Sequence, residues 1–153
     1  MNSKFYLKGT VILERRNHYT GEVLDHVELD NLIVNDGLEG VAKLLTGDST
    51  TSYSSIGIGT GTTAAANDDT TLETEVDREA ADNSGDYESP YKAKFEKLFT
   101  FSSGESWTIT EAGLFDNTVA SGSSMFDRFT FSGLAVSTTT DLYVRITITA
   151  ARA

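Results

Sequence analysis

Apolar residues alternate with polar ones along most of the chain, the period-2 signature of half-buried strands. Phe5–Leu13 predicts a first strand, Asn17–Glu22 a hairpin turn in which Gly21 takes positive φ, and Val23–Val34 the returning strand. Further strands are predicted at Ser54–Thr60, Tyr91–Phe101, Ser106–Phe115, Ser124–Phe131 and Asp141–Ala150. In the last of these, Leu142, Val144, Ile146 and Ile148 face one way, while Tyr143, Arg145 and Thr147 face the other. The period changes only once. Leu38, Val41, Ala42, Leu44 and Leu45 recur at helical spacing and predict one apolar helix face over residues 36–46. Asp36 is placed to cap this helix, Glu39 to complete a capping box, and Gly47 to end it.

This pattern predicts an all-β chain, an antiparallel sandwich of about seven strands, jelly-roll-like, with one short α-helix near residues 36–46. One helix is too little for a doubly wound α/β fold. Gly61–Val76 reads as a long connection, with a helical turn at Asp69–Glu73. Ala80–Ser89, small, polar and acidic, reads as an exposed loop. The 153 residues fit a single domain spanning 1–153, with residues 1–30 as an opening hairpin and contact arm.

Composition narrows the chemistry. There is no cysteine, which excludes disulfides and thiolate metal sites. The two histidines leave little for nucleophile–imidazole catalysis. Twelve Lys+Arg against 23 Asp+Glu give a formal charge of −11, unfavourable for binding nucleic acid or an anionic membrane. No apolar run approaches the roughly 18 residues of a membrane span, and Met1–Phe5 leads straight into strand alternation without a leader pattern.

Each candidate site lacks a needed partner. Gly57, Gly59 and Gly61 follow a strand, but no Gly-Lys-Ser/Thr succeeds them, so the glycines imply close backbone approach rather than a phosphate loop. Asp68, Asp69, Glu73, Glu75 and Asp77 lack the alternate spacing of a calcium loop. Glu14, Glu22, Glu28 and Asp30 are read as the wet face of the first hairpin rather than as a glycosidase pair. His18, at the turn tip, and His26, on the return strand, have no second ligand at usable spacing. Tyr91, Phe95, Phe99, Phe101, Trp107, Phe115, Phe126, Phe129 and Phe131 are assigned to the core, and Arg128 is expected to be partly buried with Glu111 or Glu75 as its carboxylate. No catalytic, cofactor-binding or metal-ligating residue is assigned.

Several blocks occur in a familiar order. Asn31-Leu32-Ile33-Val34-Asn35-Asp36-Gly37-Leu38 resembles the NLIV-x-x-GL opening of small tailed-phage structural proteins. The likeness continues through Ile56–Thr63, Asp69–Arg78, Ile109–Phe115 and Met125–Phe129, over roughly residues 31–149. The resemblance implies a β-sandwich virion protein without catalytic residues: a capsid decoration or turret subunit on the particle exterior, made in the host cytoplasm. Its implied partners are itself, as a trimer or ring, and the major capsid or tail proteins. A tail, baseplate or tail-fibre component is the alternative. A carbohydrate-binding module using Tyr53, Tyr87 or Trp107 is the alternative of another class.

Overall fold

The computed structural model describes residues 3–153. Its elements in chain order are β1 (Phe5–Asn17), β2 (Val23–Asp30), β3 (Leu32–Ile33), α1 (Asn35–Thr46), β4 (Ser55–Gly59), β5 (Glu75–Ala80), a 3-10 turn (Asp82–Ser84), β6 (Asp86–Glu88), β7 (Lys92–Phe99), β8 (Ser106–Phe115), β9 (Met125–Ser137) and β10 (Thr140–Arg152). Local chemistry sets the first hairpin. Asn17 Oδ1 accepts from the amides of Tyr19 and Thr20 at 2.9 and 3.0 Å, and Gly21 takes φ 71°. The chain then turns back without the cost a side chain would meet in the left-handed region.

All strand pairs are antiparallel, and the ten strands belong to one sheet. β10 is its spine. It pairs with β1 from Phe5↔Arg152 to Asn17↔Thr140, and on its other side with β7 from Leu142↔Phe99 to Thr149↔Lys92. β8 pairs with β9 and β4, and β4 with β5. The two groups join at Ser137↔Thr140, the ends of the β9–β10 hairpin. Their inward side chains share one core: Val11, Leu13, Leu142, Val144 and Ile146 belong to the same buried cluster as Ile56, Ile58, Ile109 and Phe129. Burying this apolar area is the main driving force for the fold. The chain is thus mostly β, a large antiparallel sheet of ten strands with one short helix.

All seven expected strands are present, and three more join them. β3 is set off from the return strand because Asn31 interrupts it and Leu32–Ile33 pair instead with β9 at Arg128 and Asp127. β5 and β6 lie where a connection and a loop were expected. Ala80–Ser89 is therefore not a plain exposed loop. Ala81 is buried, and Asp86–Glu88 form a ladder with Lys92–Lys94. No helical turn forms at Asp69–Glu73.

The helix spans Asn35–Thr46, but its expected capping box is absent. Val34 is the residue before it, fully buried, and its amide donates to Phe126 O at 3.0 Å. Helix entry is thus fixed by β9, and Asp36 falls inside the first turn, where its charge suits the positive helix end. Glu39 pairs with Lys43 at 2.6 Å instead of reaching back. Gly47 ends the helix as expected, at φ 75°.

Candidate functional site

The glycines of the 57–61 run are enclosed by protein. A Cβ on Gly59 would lie 2.4 Å from Thr74 O and 2.6 Å from Glu111 Oε1. Glu111, wholly buried, takes the amides that a phosphate would need: Gly61 at 2.9 Å, Thr74 at 2.8 Å and Glu73 at 3.0 Å. Its Oε2 lies 2.9 Å from Arg128 Nη2. Arg128 Nη1 reaches Asp69 Oδ2 at 2.9 Å, and Nη2 also donates to Thr63 O at 2.9 Å. The expected Arg128–Glu111 pair therefore forms. Glu75 instead holds Arg78, 2.6 Å away. Asp69 is a partner that sequence reasoning missed, because nothing local signals a contact across 59 positions.

A second buried acid adjoins this network. Asp127 accepts from the Leu114 amide at 2.9 Å and from the Asn31 amide group, and burial pushes its carboxyl up to about 7. Asn31, Gly61, Asp69, Glu111, Asp127 and Arg128 come from the ordered blocks noted in the sequence. Those blocks thus hold separate strands together around two buried carboxylates, and the geometry gives them a folding role.

Asp69 and Glu73 face Arg128, while Asp77 accepts from the Arg78 amide at 2.8 Å. Among the described residues no group of three or more His, Asp or Glu side chains could hold a metal ion. Glu14 binds Arg16 and lies 2.9 Å from His26 Nδ1; these bonds hold its carboxyl below the usual range, the reverse of what a general acid needs. His26 Nε2 lies 3.0 Å from Glu28, and His18 Nδ1 lies 2.8 Å from Asp141.

Phe95, Phe99, Phe101, Phe115, Phe126 and Phe129 are buried and Phe131 partly so, but Tyr91 and Trp107 are exposed rather than core. Tyr53 is buried beside Ser124, 3.2 Å from its Oγ, so it is no exposed platform. Tyr87 and Trp107 stand on β6 and β8, which do not pair.

The surface feature that sequence reasoning missed is an apolar end. A groove of about 730 Å³ runs between the start of β1 and α1, lined by Phe5, Leu7, Ile33, Leu38, Val41 and Leu45. A second hollow of about 700 Å³, lined by Pro90, Tyr91, Lys92 and Arg152 among others, meets it at Phe5. Leu45 is 79% exposed, and Phe5 and Tyr91 are each 67% exposed. Of the apolar helix face, Val41 packs against the core, whereas Leu38, Leu44 and Leu45 remain open. Contiguous exposed apolar surface of this kind marks an interaction site. The signal present in the sequence was the apolar stripe Leu38, Val41, Ala42, Leu44 and Leu45.

No protein-family model matches the chain, and no curated protein or solved structure matches it. No described helix is long and apolar enough to cross a membrane.

Proposed function

We propose that this chain is a non-catalytic structural subunit on the exterior of a tailed-virus particle, a capsid decoration or turret protein that works by being held in an assembly. The observation that carries the assembly reading is the open apolar end formed by Phe5, Leu38, Leu45 and Tyr91. The charged candidates with chemical promise, Glu111, Arg128 and Asp69, are meanwhile engaged in holding strands together. The viral part rests on the ordered sequence blocks. Subunits of this kind work as symmetric oligomers, so a trimer or ring is the assembly we propose.

The opening hairpin takes part as a built-in strand pair rather than as a detachable arm. β1 lies between β2 and β10, and its Val11 and Leu13 are buried in the core. Deleting residues 1–30 would therefore unfold the chain, and point substitutions at the apolar end are the informative variants.

Labelled antibodies against the chain, applied to intact particles under the electron microscope, test the proposal. Label over the heads supports decoration, label at tail tips supports a tail or baseplate component, and unlabelled particles overturn the viral reading. The carbohydrate-binding alternative retains only Tyr87 and Trp107 on separate strands, and a glycan array without binding removes it.

A further inference from the structure

β2 does not accompany β1 along its whole length. It pairs only with Thr10–Arg16, whereas β10 pairs with β1 from Phe5 onward. At Asp30 the chain leaves β1 and crosses towards β9, with one last bond from the Asn31 amide to Gly9 O at 3.4 Å. Gly9 therefore directs its polar backbone groups away from β10. By the alternation of an antiparallel ladder, Leu7 and Phe5 direct theirs the same way. Lys4 has the opposite sense and accepts from the Ala153 amide at 3.0 Å. The result is an unpaired strand edge of four residues, Phe5–Lys8, about 13 Å long at ~3.3 Å per residue. It opens onto the apolar groove, with Leu38, Val41 and Leu45 of α1 on the facing wall.

Charge adds an independent observation. The chain has 12 Lys+Arg, of which eight form ion pairs. The other four (12 minus 8) are Lys4, Lys8, Lys92 and Arg152, and none makes an ion pair among the described residues. All four gather at this end: Lys4 precedes Phe5, Lys8 lines the groove, and Lys92 and Arg152 line the adjoining hollow. Phe5↔Arg152 and Lys8↔Thr149↔Lys92 place them on neighbouring strands. The acids nearby are Asp30, at the groove, and Glu88, opposite Lys92 on β6 and 3.8 Å from Lys94. In a chain of formal charge −11, Lys4 and Lys8 lie on the strand with the open edge and make no ion pair among the described residues, while Lys92 and Arg152 stand on the strands behind it.

From this we infer that the edge Phe5–Lys8 is a β-augmentation site for an extended, acidic segment of a partner protein. Apolar side chains at alternate positions of that segment would fill the groove beside Phe5 and Leu7, and acidic ones would face Lys4 and Lys8 on the other side of the strand. The segment adds a strand to β1 through main-chain hydrogen bonds, which carry affinity, while pocket and charge carry selectivity. The inference rests on the assembly reading above and names the chemistry of the partner. Lysine also blunts exposed edges against unwanted pairing, so the test must separate a protective role from a receptive one.

Two eight-residue peptides serve as probes, one alternating Val with Glu and one alternating Val with Lys, titrated calorimetrically into the full chain. The expected result is binding of the acidic peptide at least about tenfold tighter than the basic one, a difference of ~1.4 kcal/mol. Lys4→Glu with Lys8→Glu reverses the preference, and N-methylation of alternate peptide amides abolishes binding. Leu45→Asp weakens binding about tenfold while circular dichroism stays unchanged, since Leu45 is already exposed. Equal binding of both peptides, or of neither at millimolar concentration, overturns the inference. So does uptake by phosphatidylserine vesicles, or self-association lost in Leu45→Asp, when neither peptide binds. Peptide binding by a chain absent from virus particles upholds the site and sinks the viral assembly reading; a chain found on particles that ignores the peptide does the reverse.

Discussion

Arg128 and Glu111 meet 2.9 Å apart with both side chains closed to solvent, at 2% and 0% exposure. Each charge needs the other, but their dependence is unequal. Glu111 also accepts three backbone amides, so it keeps good partners if the guanidinium is lost. Arg128 retains Asp69 and Thr63 if Glu111 is lost, but the amides of Gly61, Glu73 and Thr74 are then orphaned. Glu111→Ala is therefore expected to cost about 3–5 kcal/mol, and Arg128→Met less. Urea midpoints of the two variants check this, and an Arg128→Met chain as stable as the parent would show that the pair contributes nothing.

Much of the fold was legible because it follows from periodicity. Leu142, Val144, Ile146 and Ile148 announce their strand and its inward face, and all four are buried. β5 was not legible. Glu-Val-Asp-Arg-Glu-Ala has no apolar alternation, and its strand state comes from pairing with Ile56 and Ile58 of β4. The helix start was misplaced for a related reason: a tertiary bond to Phe126 O, not a side-chain cap, sets it. Arg128 advertised its need for a carboxylate, but only three-dimensional proximity selects Glu111 and Asp69 over Glu75. The open edge of β1 was illegible because it depends on where β2 departs.

The glycine run gives a steric prediction. At Gly59 an added Cβ would collide with the Thr74 carbonyl, part of the backbone, and with Glu111, which is held by three amides and Arg128. Neither neighbour can yield cheaply. Gly59→Ala is expected to destabilise by about 1–3 kcal/mol, the range for overpacking a filled interior. Thermal unfolding measures it, and a change under a few tenths of a kcal/mol would contradict the packing described.

His26 bridges Glu14 and Glu28 through its two ring nitrogens, at 2.9 and 3.0 Å. Only the imidazolium donates to both, so its pKa is raised above the ordinary 6.5, chiefly by the bond to Glu14. Arg16 also binds Glu14, but at Oε1, whereas His26 uses Oε2. The stabilisation is fully present below the unfolded pKa and is lost as pH rises through the raised folded value. A ring-proton NMR titration is expected to show the upward shift, and Glu14→Gln to move the value back down. Identical titration curves for the two proteins would rule out the bridge.

Asp127 makes the strongest pH prediction, because its acid form is the one that the interior accepts. The carboxyl is fully buried, and its two donors, the Leu114 amide and the Asn31 side chain, only partly offset the loss of water. Its folded pKa of about 7 lies above the ordinary 3.8, so the native state holds this proton more tightly than the unfolded chain. The contribution is complete below about pH 4 and declines as pH rises through 7. The gap of about 3 units corresponds to roughly 4 kcal/mol at 1.36 kcal/mol per unit. Asp127→Asn substitutes a neutral side chain of the same shape, which can still accept from Leu114. The parent is thus expected to lose stability between about pH 4 and pH 8 relative to Asp127→Asn, whose urea midpoint should vary less over that range. Parallel midpoint curves for the two proteins would mean that Asp127 is ionised in the fold at neutral pH. The bond that the Asn31 amide donates to Asp127, which ties the segment after β2 to β9, would then be a charge-assisted hydrogen bond to a carboxylate rather than one between neutral groups.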